Sequence, residues 1–191
     1  MTLFQQARDV YNRWFELEPD VSISEAIEAL EALLIKEDST GEVSYLLGLL
    51  IYDRECKNHG DTDLALRQFE AATKINVSHY MAHLYAGHCH HDKKRFQEAL
   101  QAYDQVNAQA LRTEYPLWRS VKLLEQKAEC LHHLGQVSKA ESLFDEVVSF
   151  YESASEDELI IPSEALRTLD KSHPLAKRLQ KLCNPHPQYS E

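Results

Sequence analysis

Four alanines, Ala26, Ala65, Ala99 and Ala140, constrain this chain more than any other feature of its sequence. Each opens the same short pattern, with a large apolar or aromatic residue four positions on and an apolar residue seven positions on. The sets are Ala26, Leu30 and Leu33; Ala65, Phe69 and Ala72; Ala99, Tyr103 and Val106; and Ala140, Phe144 and Val147. Residues at i, i+4 and i+7 share one face of an α-helix. In the two clearest copies a small residue stands twelve positions before the alanine: Gly87 before Ala99, and Ala128 before Ala140. Gly48 and Ala7 take that part in the earlier copies. The alanines recur at intervals of 39, 34 and 41 residues. Such a period marks stacked pairs of helices. A small residue late in the first helix lets the second approach closely at its alanine.

The segments HLYAGHCHHDKKRFQEALQAYDQVNAQ and KAECLHHLGQVSKAESLFDEVVSFYE carry this pattern most fully and, with the 34-residue interval from Ala65 to Ala99, resemble the tetratricopeptide repeat. The resemblance runs from residue 2 to about 154. It implies an all-α fold, a right-handed superhelix of about four antiparallel helix pairs with a C-terminal capping helix. The chain departs from the family at His83 and Leu124, which stand where an early aromatic is usual. Asp38, Val77, Leu111 and Glu152 stand where a closing proline is common. The two long intervals place insertions near KNHGDTD and LRTEYPLWR. Helices are expected over 3–17, 22–37, 41–57, 61–75, 79–93, 95–108, 116–134 and 137–153, with short ones at 163–170 and 173–183. Ser22 or Ser24, and Asp61 or Thr62, are the expected N-caps. The expected organisation is a repeat domain over 1–154, capping helices over 155–183 and a frayed tail over 184–191. ASEDELIIPS serves as a hinge between the first two.

Acids outnumber bases by 31 to 20 in these 191 residues, giving a formal charge of −11. That balance argues against general binding to nucleic acid or anionic membranes and favours a basic partner. No apolar run approaches the length of a membrane span. The opening MTLFQQARDVYNRW lacks the basic-then-apolar order of a secretory leader. Cys56, Cys89, Cys130 and Cys183 are at least 33 residues apart and form no CxxC. Reduced, mostly buried thiols and a cytoplasmic setting are expected.

The first helix of each tetratricopeptide repeat lines a groove, so the resemblance implies which residues would meet a partner. Counting from the small residues gives Tyr45, Leu49, Tyr52 and Asp53 in the second repeat. The third gives Leu84, His88, His91 and Asp92, and the fourth Glu125, Glu129, His132 and His133. The first adds Phe4, Arg8 and Tyr11. The Lys and Asn set with which some family members clamp an acidic peptide end is absent, replaced by Tyr45, Leu49, Leu84 and His88. Aromatic anchors and carboxylates instead suit a polypeptide with a basic or apolar segment. His88, His91 and His132 offer a three-histidine alternative for zinc or ligand sensing. No cofactor, metal or catalytic residue is expected, because no phosphate loop, nucleophile elbow or zincin motif occurs.

The expected function is therefore a cytoplasmic adaptor or chaperone that holds another protein. KAECLHHLGQVSKAESLF resembles the small tetratricopeptide chaperones of bacterial secretion. An immunity protein that neutralises a toxin domain is the alternative. The chain also carries its own candidate occupant of the groove. Leu175, Leu179 and Leu182 form a stripe near Lys171, Lys177, Arg178 and Lys181.

Overall fold

The computed structural model describes residues 2–16, 22–36, 39–57, 62–153 and 163–183. Among these residues every regular element is an α-helix, eleven in all. They are α1 Leu3–Phe15, α2 Ile23–Leu34, α3 Glu42–Lys57, α4 Asp63–Ile75, α5 Tyr80–Asp92, α6 Phe96–Asp104, α7 Ala108–Glu114, α8 Leu117–His133, α9 Val137–Ser153, α10 Ser163–Thr168 and α11 Pro174–Cys183. Local chemistry sets several of the ends. Thr2 and Ser22 each build a capping box, with Gln5 and Glu25 reaching back to the cap amide. Thr62 stands at the cap of α4 without a side-chain bond to the helix. Its side chain is buried and hydrogen-bonds the Cys89 thiol instead. The helix expected over 95–108 ends early, and a further helix that was not expected follows it. The first stops at Asp104, and Asn107 caps α7 by accepting from the Ala110 amide at 3.0 Å. Much of the insertion near LRTEYPLWR is thus helical. The hinge, the tail and most of the KNHGDTD insertion lie outside the described residues.

The chain divides into two compact units between Lys93 and Lys94. In the first, α1 packs on α2 and α3, and each following helix packs on the next through α5. All four anchoring alanines of the sequence are buried, as are the large residues four positions after them. Gly48 shows why a small residue is needed late in the first helix. A Cβ on it would sit 2.6 Å from a ring carbon of Phe69, which is fully buried. The glycine thus creates the notch that the aromatic of α4 fills. Gly41 precedes α3 with φ of +77°, and a Cβ there would meet the Ala72 carbonyl oxygen at 2.6 Å.

In the second unit α6 and α7 pack on α8, and α8 packs on α9. The C-terminal helices take separate seats: α10 lies on α8, and α11 lies on α9. The core joins Val121, Ala128 and Leu131 of α8 to Ala140, Phe144, Val147, Val148 and Tyr151 of α9. Ala165 of α10, with Leu169 just beyond it, and Ala176 and Leu179 of α11 close it. Tyr103 buries its hydroxyl by donating to Gln126 Oε1 at 3.1 Å.

Overpacking a filled crossing typically costs about 1–3 kcal/mol. Gly48→Ala should lose that amount in urea unfolding, and Ala140→Leu should lose a similar amount. Gly135→Ala serves as the contrast, because a Cβ there meets nothing within 4 Å. Its cost should be confined to the left-handed backbone at φ +76°, about 1–2 kcal/mol. Adding Phe69→Leu to Gly48→Ala should recover part of the loss. Adding it to Gly135→Ala should recover none.

Candidate partner-binding faces

Helix α3 is apolar around most of its circumference in its first half, and residues 43–47 are all buried. This is the pattern of a helix with neighbours on several sides. Tyr45 belongs to that interior. It is only 7% exposed, and its ring lies 6.2 Å from Phe69, 4.7 Å from His79 and 6.2 Å from Tyr85. The accessible residues come later: Leu49, Tyr52 and Asp53 are half-buried. Tyr52 donates to Asp92 Oδ2 at 2.8 Å, tying α3 to the end of α5. Burial first, then the Asp92 charge and this hydrogen bond, push the Tyr52 hydroxyl far above its ordinary pKa. It therefore remains a neutral donor.

On α5 the face that meets these residues is turned from the one expected. Leu84 and His91 are buried, whereas Tyr85 and His88 are half-buried and Asp92 is exposed. The accessible stripe is thus Tyr85, His88 and Asp92, at i, i+3 and i+7. Tyr85, absent from the expected set, is the hub. Its ring stacks on Phe69 at 5.5 Å and meets Tyr52 edge-on at 5.9 Å and His88 at 5.3 Å. The sequence signal for it was its one-turn spacing from His88. Successive helical residues point about 100° apart, so a register one position off moves a residue from face to core.

A carboxylate fixes the other end of these helices. Glu42 accepts from Arg8 Nε at 3.0 Å and lies 3.3 Å from His79 Nε2. His79 in turn caps α5, its Nδ1 accepting from the Ala82 amide at 3.3 Å. Burial alone would raise the Glu42 pKa. The His79 hydrogen bond and the charges of Arg8 and His79 more than offset it and hold the carboxyl below its ordinary value. Tyr11 of α1 is half-buried beside Trp14, 5.7 Å between ring centroids, and stacks with Phe15 at 6.0 Å.

In the second unit Glu125 and Glu129, expected to steer a basic partner, are covered by the chain itself. Glu125 is fully buried, accepting from Lys122 Nζ at 3.3 Å and from the Ala165 backbone amide of α10 at 3.2 Å. Glu129 accepts from Arg167 Nη2 on both of its oxygens, at 2.7 and 2.8 Å. Lys122 also pairs with Glu164. The occupant of this face is α10 and not the basic stripe of α11. That stripe belongs to α9: Arg178 pairs with Asp145 at 2.9 Å and Glu152 at 2.8 Å, and Leu179 is buried. His132 is half-buried and His133 is exposed, the latter stacked on Phe96 at 4.2 Å.

Among the described residues no three His, Cys, Asp or Glu side chains are grouped so as to hold a metal. Burial pushes the Cys89 and Cys130 thiols up, Cys130 to about 12, so neither is a thiolate near neutral pH.

The tetratricopeptide repeat family matches residues 57–116, a stretch that reaches from the end of α3 through α7. That stretch carries the tetratricopeptide repeat. Seven solved chains also match. One of them, the MamA RS-1 ArsTM double mutant, is 17% identical, with a TM-score of 0.67 over 100% of this chain and 99% of that one. At that identity the likeness shows the fold, and it extends the repeat architecture beyond the matched segment. No curated protein matches.

The covered carboxylates carry a pH signature. Burial, with the Glu164 charge adding to it and Lys122 opposing it, raises Glu125 to about 7. A carboxyl whose folded pKa is raised stabilises the fold when protonated. That contribution is complete below the ordinary carboxylate value and is lost as pH rises through about 7. The charges around it are Lys122 and Glu129 on α8 and Glu164 and Arg167 on α10. Urea unfolding of the second unit should therefore require less denaturant at pH 8 than at pH 6. Glu125→Gln should flatten that difference. An unchanged slope in the variant would assign the pH dependence to another group.

Proposed function

We propose that this chain is a binding module for another polypeptide and that the α3–α5 face of its first unit is the contact surface. The observation that carries this reading is the half-buried stripe of Leu49, Tyr52, Tyr85 and His88, edged by Asp53 and Asp92. Its rings are held edge-on to one another with Tyr52 hydrogen-bonded to Asp92, so little side-chain freedom remains to be lost on binding. Rigid aromatics flanked by carboxylates suit an apolar segment that carries Lys or Arg, and the formal charge of −11 favours the same partner. Tyr45, Leu84 and His91 support the face from beneath, because they are buried. The tetratricopeptide fold is commonly an interaction fold, which adds fold-level weight to the reading.

The finer role is that of an adaptor or chaperone in the cytoplasm. Free Cys89 and Cys130, both buried and without a disulfide, suit a reducing compartment. No described helix is long and apolar enough to cross a membrane.

Site-specific photocrosslinking tests the face. A benzophenone side chain at Leu49 or His88 should capture a polypeptide that the same group at Lys74, on the exposed side of α4, does not. Tyr52→Ala should then weaken the captured partner by about 2 kcal/mol, roughly thirtyfold in Kd, mainly through faster dissociation. Asp92→Asn should slow association, and added salt should shrink the difference. Tyr45→Ala should instead lower the Tm, because its ring is part of the core. Crosslinks confined to Lys74 would reject the α3–α5 face.

A further inference from the structure

The face of α8 shows what it can hold, because α10 already occupies it. We propose that this face is a second binding surface, for a helical segment of a partner with the order acidic–small–any–arginine, and that Glu164–Arg167 of α10 is its built-in occupant, to be displaced. This rests on the chain being a polypeptide binder but not on the α3–α5 face.

Each element of that order meets a separate feature of α8. The acidic position, Glu164, pairs with Lys122. The small position, Ala165, is fully buried and gives its backbone amide to Glu125. The arginine, Arg167, gives both oxygens of Glu129 a hydrogen bond. Both bonds come from the one nitrogen, and a lysine would replace this weakly hydrated, delocalised guanidinium by a compact, strongly hydrated ammonium on a different stem. Recognition is thus by charge, size and backbone together, within about one helical turn.

Two properties make the occupant exchangeable. First, α10 has six residues, too few to sustain a helix without a neighbour, so its form depends on the contacts it makes. The Arg167 side chain is still 62% exposed while it holds Glu129, so water and competing groups reach it. Second, what α10 covers is largely ionic. Uncovering Lys122, Glu125 and Glu129 returns them to water, where charges are well solvated, and this lowers the cost of the open form. The apolar loss comes from Ala165, the partly buried Leu166, Leu169 and their contacts with the core. Attachment to the same chain gives α10 an effective concentration on the order of millimolar. A competing segment therefore binds the intact protein weakly and gains when the Arg167 anchor is removed.

The probe is a fluorescein-labelled synthetic peptide with the sequence of residues 161–172, titrated by anisotropy into the full-length chain. Arg167→Ala in the protein should tighten its binding at least tenfold over wild type, and backbone amide exchange of α10 should rise. Adding Glu129→Gln should take back the gain. A peptide with alanine at its own Arg167 position should not bind. Arg167→Lys keeps the charge on a more strongly hydrated ammonium and should give an intermediate affinity, which covers the case in which Arg167→Ala fails to fold. Equal peptide affinity for wild type and the folded Arg167 variants would overturn the proposal. So would absence of binding to every variant, which would leave α10 as a fixed cap. The experiment needs no outside partner, so failure of the α3–α5 crosslinks leaves it intact, and its own failure leaves those crosslinks interpretable.

Discussion

The ring of Phe69 in the notch left by Gly48 is the contact on which the first unit depends. It sets how closely α4 approaches α3, and the same ring stacks on Tyr85 of α5. Tyr85 then fixes the direction of Tyr52 and His88, which are half-buried. A face that reads as a binding surface is therefore the outer layer of a packing chain that starts from one missing Cβ. Interiors at native density transmit such displacements because they hold few voids to absorb them. A change at Gly48 should thus be felt at Tyr52, although the two do not share a function.

The helical architecture was legible because the alanine pattern records a geometric demand. A close crossing admits few residue types, and the demand recurs wherever a helix pair does. Helix ends were legible to within a few residues where capping chemistry marks them, as at Ser22. The break after Asp104 was less so. Gln105 and Val106 carry no helix-breaking side chain, and only Asn107 signalled that a new helix begins there.

The sites were legible in composition but not in register. Counting outward from Gly87 named Leu84 and His91, which are buried, and passed over Tyr85, which shares the accessible side with His88 and Asp92. No residue type in that run distinguishes the two choices, since both stripes mix apolar and histidine side chains. The seats of the C-terminal helices were obscured for another reason. The basic stripe of α11 advertises itself, and it finds acidic partners on α9. The six residues of α10 carry no strong amphipathic signal. Their contacts with α8 are one glutamate, one arginine, one backbone amide and the absence of bulk at Ala165.

The two faces differ in how they treat charge, and this bears on what each can do. The α3–α5 face keeps Asp92 exposed at its edge, where it remains hydrated and acts at a distance. The α8 face places Glu125 and Glu129 in the interior, where burial raises the cost of ionising Glu125. Replacing a buried ionic set by apolar side chains is often neutral or stabilising, so stability alone gives little reason for α8 to present carboxylates to α10. Their physical effect is discrimination. An apolar α8 would accept any greasy helix that fitted, whereas this one penalises every occupant that leaves a buried carboxylate unpaired. The same requirement that holds α10 in register would select among the segments proposed to displace it.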